Sequence, residues 1–249
     1  MHIGVVIPTF NEAENLPRLV SVLLALPLEL SILIVDDNSP DGTGTIADQL
    51  AAAEPGRLGV LHSPEKLGVA SAYKVGIRSI LEKDVDAVAQ MDGDCSHDPA
   101  DLVAMVKQLE SFDLVLGSRF INGASVDPHW PFWRKTLSRW GNFYARTILS
   151  MPYEDLTTGY RLWRRPALAG IPFDRIYSNG YVFEVETAYL AYRLQYHISE
   201  VPIHFTERTR GESKMSFKIQ VEAAWRIWQM LFAYDGIRRP DPTVSIKTD

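Results

Sequence analysis

Short apolar runs and amphipathic stretches alternate through the first 118 residues. Residues 3–7 form an apolar run that stops at Pro8, and residues 32–35 form a second that stops at Asp36-Asp37. Runs of this length bounded by turn formers predict strands buried on both faces. Helical spacing follows each, over about residues 15–25 and 42–53. The alternation continues with a strand near Val60, a helix over 70–81, a strand over 87–91 ending at Asp92, and a helix opened by Pro99 at its favoured first position. A strand at 114–116 closes this half. The pattern predicts an α/β fold, a mostly parallel sheet flanked by helices on both faces.

Beyond Arg119 the pattern changes. Residues 128–150 read mostly as helix, with no acid, four Lys/Arg and six Trp/Phe/Tyr. A strand-like GYRLWRR follows, then a helix over 182–193, one strand over 198–205, a polar loop over 207–213 and a helix over 216–232. No linker, repeat or low-complexity segment interrupts the chain. Residues 1–235 are therefore expected to form one domain, and 236–249 a loose tail carrying Pro240 and Pro242. In the last helix Phe217, Val221, Ala224, Trp228 and Leu231 form a stripe that Trp225, Ile227, Met230 and Phe232 widen. Such a stripe suits core packing, or an interfacial helix lying in lipid with Lys214, Lys218 and Arg226 near headgroups.

Composition narrows the classes. The 249 residues are 46% hydrophobic and 22% charged, which is globular composition and excludes a disordered chain. The single cysteine, Cys95, excludes an internal disulfide framework and a multi-cysteine metal site, and predicts a reducing compartment. The net charge of −6 disfavours a general nucleic-acid binder. That total hides an asymmetry: residues 1–118 hold 7 Lys/Arg against 18 Asp/Glu, while the remainder holds 18 against 13 and all six tryptophans. An acidic half fit to hold a cation thus precedes a basic, aromatic half fit to meet an anion at an interface. The start, MHIGVVIPTF, has no positive region before its apolar run, so no signal peptide is expected. The longest apolar stretch, residues 20–35, is broken by Pro27, Glu29 and Ser31. It falls short of the roughly 20 apolar residues a spanning helix needs.

Candidate chemistry clusters after strand ends: residues 9–12, 36–41, 92–98 and Ser118-Arg119. Any one of these could be a solvated loop, but in an open parallel sheet ligands bind at that edge. Asp92-Gly93-Asp94 places two carboxylates at i, i+2 beyond a strand. They can converge on one hard cation, with water and phosphate oxygens completing its shell; a plain Asp/Gly turn is the other reading. His97 could add to such a shell or merely support the loop. Asp37 could accept hydrogen bonds from a base or ribose, and Asp41 is expected to cap the next helix. Neither a G-x-G-x-x-G nor a P-loop is present.

Seven segments together resemble one family. PTFNEAENL at 8–16, VDDNSPDGT at 35–43, MDGDCSHDP at 91–99 and GSR at 117–119 look like the ordered motifs of inverting GT-A glycosyltransferases. DLTTGYR at 155–161, GYVFEVE at 180–186 and RTRGESK at 208–214 extend the likeness to polyprenol- and dolichol-phosphate mannose synthases, over about residues 3–220. The resemblance implies a GT-A fold with C-terminal amphipathic helices. It implies a first half, residues 1–118, that binds a nucleotide-sugar, usually GDP-mannose, and a second, 119–235, that meets the acceptor. Pro8, Phe10, Glu12, Val35, Asp37, Asp92, Gly93, Asp94 and Arg119 would contact that donor, and Asp92 and Asp94 would hold Mg²⁺ or Mn²⁺. Ser96 stands where some relatives place a Gln in the metal shell, and KLGVASAY at 66–73 departs from the more usual glycine-rich form at Val69 and Ala70. Arg134, Ser138, Arg208 and Lys214 would grip a polyprenyl phosphate. Asp94, Arg119, Arg134 and Arg208 would carry the catalysis.

Elementary chemistry adds to this. Arg134 and Ser138 at i, i+4 share a helix face, and guanidinium groups suit phosphate oxygens, though a lone surface Arg also suits an ion pair. A hydroxyl acceptor needs a general base, whereas a phosphate monoester, with its second pKa near about 6, is already a nucleophile at neutral pH. No base is therefore assigned, and Asp155 and Glu186 are read as sugar-hydroxyl partners or supports; for a hydroxyl acceptor, one of them as the base is the other reading. The expected setting is the cytoplasmic face of a membrane, peripherally held, with a separate anchoring subunit or domain as a possible partner. The alternatives are another donor such as UDP-glucose or another acceptor on the same chemistry, a nucleotidyltransferase, and a non-catalytic nucleotide- or sugar-binding subunit. The Gly-rich, Arg/Lys-containing start of a nucleotidyltransferase is missing from residues 5–20.

Overall fold

The computed structural model describes residues 1–206 and 217–237. The first half winds as β1 (His2–Thr9), α1 (Leu16–Leu24), β2 (Glu29–Asp36), α2 (Thr43–Ala53), β3 (Leu58–His62), α3 (Val69–Leu81), β4 (Ala87–Gln90), α4 (Asp101–Leu109) and β5 (Leu114–Ser118). The second continues as β6 (Ser125–Val126), α5 (Phe132–Leu149), β7 (Arg161–Arg164), α6 (Arg165–Ala169), a 3₁₀ turn at Phe173–Arg175, α7 (Val182–Arg193), β8 (Ile198–Pro202), β9 (His204–Phe205) and α8 (Phe217–Ala233).

Seven strands form one sheet in the order β3-β2-β1-β4-β7-β5-β8. The β1–β2, β1–β4, β2–β3 and β5–β8 pairs are parallel, so the sheet is mostly parallel as the patterning predicts. β7 runs antiparallel to both β4 and β5 and separates them. The strand period of two sorts side chains onto two cores. Val6, Leu33 and Val35 face a core shared with α3, α5, α7 and α8. Val5, Ile7, Ile32 and Ile34 face a core shared with α1, α2 and α4. Both faces are covered, which is why these strands read as unbroken apolar runs. Gly76 lets α3 press close: a Cβ there would stand 2.5 Å from Val6 Cγ1.

Four local expectations shift. The single strand over 198–205 divides at Pro202: β8 stays as the sheet's edge strand, and β9 pairs instead with β6. Proline donates no ladder hydrogen bond, and edge strands are where sheets tolerate it. Pro99 stands in a turn before α4, where the Asp98 carboxylate accepts the Ala100 N–H at 2.9 Å. The inward stripe of α8 is Ala223, Ile227, Met230 and Tyr234, one position off the expected one, with Trp228 outside. The tail reading begins too early, because Ile237 is buried in the core; residues 238–249 and the polar loop at 207–213 lie outside the described residues.

Candidate active site

The loops after β1, β2, β4 and β5 open onto one cavity of about 540 Å³, a size suited to a cofactor or substrate. Pro8, Phe10 and Glu12 line it from β1, Asp37 from β2, Asp92, Gly93 and Asp94 from β4, and Arg119 from β5. Eight of the nine residues expected at the donor therefore meet there. Val35 does not: its side chain is buried in the core, where a Cβ on Gly76 would lie 2.9 Å from its Cγ2. A larger cavity, about 740 Å³, lies behind the 95–99 loop beside α1 and contains none of the expected donor residues.

Short polar side chains tie the loops together. Asp36 accepts the Ser39 N–H and hydroxyl at 3.1 and 2.6 Å. Asp37 accepts the backbone N–H groups of Leu67 and Gly68 at 2.8 and 2.7 Å, fixing the entry to α3. That entry therefore has its backbone donors spent on Asp37 rather than aimed at a ligand. Asp41 accepts the Thr43 N–H and hydroxyl at 3.0 and 2.6 Å from one position before the N-cap, which is Gly42 and not Asp41 as expected. Asp41 also accepts the Ala13 N–H at 3.2 Å, which joins the first two loops.

The residues present fit a hard divalent cation. Asp92 remains partly exposed to the cavity and Asp94 is buried beneath it. Asp94 Oδ1 accepts the Ser96 N–H at 3.0 Å, and Asp92 Oδ1 accepts the Tyr73 hydroxyl at 3.2 Å. His97 Nδ1 lies 3.4 Å from the Asp92 N–H, with its ring stacked on Tyr160, so it supports the loop. Opposite Asp92 the chain is bare: a Cβ on Gly159 would sit 3.1 and 3.2 Å from the two carboxylate oxygens. Glycine there keeps open the space that a cation and its oxygen ligands need. Among the described residues no cluster of three His, Cys, Asp or Glu forms a metal cage. Two carboxylates with the rest of the shell left to substrate is the usual arrangement for Mg²⁺ on phosphates.

Arg119 is held rather than free to swing. Its Nε and Nη2 donate to the two Asp155 oxygens at 2.7 and 2.8 Å, and Nη2 also reaches Thr157 Oγ1 at 2.8 Å. Burial alone would lower the Arg119 pKa, but the adjacent Asp155 carboxylate outweighs it and raises it. The same pairing overcomes burial at Asp155 and lowers its pKa. Asn142 of α5 braces this pair. Its Oδ1 accepts the Leu156 and Thr157 N–H groups at 2.7 and 3.2 Å, and its Nδ2 reaches Asp155 Oδ1 at 3.3 Å and Thr157 Oγ1 at 3.0 Å. From beneath, Glu200 accepts the Glu154 and Asp155 N–H groups at 2.9 Å each. Asp155 is thus a support for Arg119. Glu186 is a support elsewhere: it accepts the Ser178 N–H at 2.9 Å and the Tyr234 hydroxyl, pinning the end of α8.

Two cavity residues escape sequence reasoning. Lys66 places its ammonium 3.2 Å from the Phe10 ring centroid, a cation–π contact at one end of the cavity. Glu184 lines the wall beside Tyr181 and Gly180. Its Oε2 stands 3.0 Å from Arg161 Nε, and both residues are buried. Burial pushes the Glu184 carboxyl up to about 7, with Arg161 opposing and Asp92 adding to the rise. The available signal was α7 itself, a helix buried on every side that nonetheless carries two acids; buried acids need partners or a task.

The expected acceptor residues are less gathered. Arg134 and Ser138 lie on α5, the helix that carries Asn142, but neither lines the cavity. The Arg134 guanidinium stands 5.4 Å from the Trp133 ring centroid, and the Ser138 carbonyl accepts the Asn142 amide at 3.1 Å. Arg208 and Lys214 lie outside the described residues.

Comparison with known proteins identifies the family. Residues 4–171 match the profile of Glycosyl transferase family 2. The chain is 41% identical over 240 residues to an undecaprenyl-phosphate mannosyltransferase of Micrococcus luteus, covering 96% of this chain and 98% of that one. It is 40% identical over 224 residues to a polyprenol monophosphomannose synthase of Mycolicibacterium smegmatis, covering 90% and 84%. Among solved structures, glucosyl-3-phosphoglycerate synthase from Mycobacterium tuberculosis, in complex with Mn²⁺, UDP and glucosyl-3-phosphoglycerate, superposes with a TM-score of 0.64 at 19% identity. That superposition covers 98% of this chain and 83% of the other; it speaks to the fold.

Proposed function

The chain belongs to glycosyl transferase family 2 and is a glycosyltransferase, and from that premise we propose that it moves mannose from GDP-mannose to a polyprenyl phosphate. The observation that carries this reading is the single cavity where the Asp92/Asp94 loop meets a buried, carboxylate-locked Arg119. The names of the two relatives support mannose as the sugar and a polyprenyl phosphate as the acceptor.

In this reading Asp92 and Asp94 hold Mg²⁺ or Mn²⁺, which when bound supplies charge neutralisation on the donor diphosphate. Arg119, kept cationic by Asp155, faces the same diphosphate. Phe10 and Lys66 lie where a nucleoside would rest, and Glu12 and Asp37 offer acceptors to its hydroxyls and ring N–H groups. The acceptor phosphate is largely dianionic at neutral pH and needs no deprotonation. One of its oxygens bonds to the anomeric carbon as the bond from that carbon to the GDP oxygen breaks; the electron pair leaves with GDP and the configuration inverts. The chain's task is alignment and charge stabilisation. Arg134, Ser138, Arg208 and Lys214 are the groups proposed to steer the acceptor. The setting is the cytoplasmic surface of a membrane, since the lipid acceptor resides in a bilayer and no helix among the described residues is long and apolar enough to cross one. A separate anchoring subunit would be compatible with this.

The test is solvent extraction of labelled lipid after incubation with polyprenyl phosphate and either GDP-mannose or UDP-glucose. GDP-mannose should label the lipid. Asp92→Ala and Asp94→Ala should each lower the rate by more than about 100-fold, given the several kcal/mol a bound cation contributes, with the circular dichroism spectrum retained. Full activity in excess EDTA would remove the cation from the scheme, and labelling from UDP-glucose alone would replace the donor.

A further inference from the structure

Tyr73 of α3 is fully buried, in an apolar core where a phenylalanine would pack as well. Its ring stacks on Phe183 of α7, with centroids 6.1 Å apart and planes 6° apart. A buried phenol needs a partner for its hydroxyl. This hydroxyl donates to Asp92 Oδ1 at 3.2 Å. Asp92 lines the cavity and Tyr73 does not, so the contact comes from behind the carboxylate. The second oxygen is placed differently. Oδ2 has His97 Nε2 at 4.0 Å, beyond hydrogen-bond reach. The main chain is anchored separately, where the Asp92 N–H meets His97 Nδ1 at 3.4 Å. Gly159 leaves the space before both oxygens open. Asp92 is therefore asymmetric: one oxygen is engaged by the core, and the other faces that space.

We propose that Tyr73 is a positioning residue whose hydroxyl occupies one oxygen of Asp92, so that the carboxylate offers a cation one oxygen rather than two. The inference rests on the reading that Asp92 and Asp94 hold the cation, and it adds which cation the site prefers. Mg²⁺ and Mn²⁺ favour octahedral shells of single oxygens. Ca²⁺ is larger, takes about 6–8 oxygens, and accepts a carboxylate through both of its oxygens. Engaging Oδ1 works against that second mode. Tyr73 thus biases the site toward the smaller cations and against Ca²⁺. A phenol suits the task, because at neutral pH it is protonated and donates without bringing a charge beside the metal. Tyr73→Phe would keep the stack on Phe183 and release Oδ1 alone. Partners standing behind a metal ligand typically carry about 10- to 100-fold in metal affinity.

The test reads cation binding by the full chain, with GDP or UDP present, and needs no turnover. Mn²⁺ binding is followed by loss of the free-ion EPR signal, and Ca²⁺ binding by competition against it. The parent is expected to bind Mn²⁺ and to prefer it to Ca²⁺. Tyr73→Phe should weaken Mn²⁺ binding by about tenfold and Ca²⁺ binding by less, so the preference falls. Its thermal midpoint in EDTA should stay close to the parent's, while the rise that Mn²⁺ and nucleotide induce should shrink. A folded variant with the parent's Mn²⁺ preference overturns the proposal and leaves the cation reading standing. A parent that binds no Mn²⁺ with either nucleotide overturns both. Fluorotyrosine in place of Tyr73, introduced by nonsense suppression, keeps the ring and the hydroxyl. Its fluorine NMR resonance should move when Mg²⁺ is added with nucleotide. A resonance that stays fixed overturns the proposal too, whether or not the Phe variant folds.

Discussion

Glu184 lines the cavity with Arg161 buried behind it, and the burial of that carboxyl makes stability depend on pH in a defined window. The folded carboxyl is raised from about 4.5 to about 7 by burial, against the pull of Arg161. A raised acid binds its proton more tightly folded than unfolded. Its stabilisation is complete below about 4.5 and is lost as pH climbs through about 7. In metal-free buffer, urea midpoints of the parent should fall across that interval more steeply than those of Glu184→Gln. Below about 4.5 the parent's carboxyl is neutral as well, so the variant should differ from it least there and diverge as pH rises; the difference in slope is the quantity to measure. Parallel profiles would refute the assignment. Residues of this kind mark where sequence reading stops. Asp92 and Asp94 are visible because two acids close a strand, but Lys66 meets Phe10 across 56 positions. No local pattern records such a distance.

At the scale of elements, α5 shows how one helix serves two environments. Its inward face is small and polar where Asn142 enters the site and apolar where Ala145 and Leu149 join the core. Asn142→Ala would strand the Leu156 and Thr157 N–H groups and release Asp155. A loss of about 1–3 kcal/mol in urea stability is expected. kcat for transfer should fall with it, because Arg119 loses its fixed seat. Undisturbed kcat at full folding would show that Glu200 alone secures the loop. Helical periodicity made α3, α5, α7 and α8 legible in the sequence, and α7 falls on its expected bounds. Two apolar stripes on one helix defeat the same method: in α8 the spacing could not say which faced inward, and the structure moves the core stripe by one residue. Pro202 did carry a signal, since a proline inside a strand pattern argues for an edge or a break, and the chain does break there.

For the whole molecule, the decisive fact is that β7 comes from the second half and lies between β4 and β5 of the first. Strand membership was legible from apolar runs, but strand order depends on tertiary contacts that the runs do not encode. The expected acidic and basic halves are consequently interleaved, and we expect them to unfold together. A fragment of residues 1–118 should show no cooperative denaturant transition, because its β4 and β5 have no strand to pair with on their shared side. Calorimetry of the full chain should give one transition; two separate ones would divide the domain. The wedged strand also governs when, during synthesis, a working pocket can exist. A growing polypeptide that has already delivered the carboxylates at 92 and 94 still has an open seam until Arg164 emerges from the ribosome. Pairings that span so much of the chain close late. On the proposed reading, nucleotide-sugar can shelter only chains that have passed that point, and every shorter one must survive the interval without it.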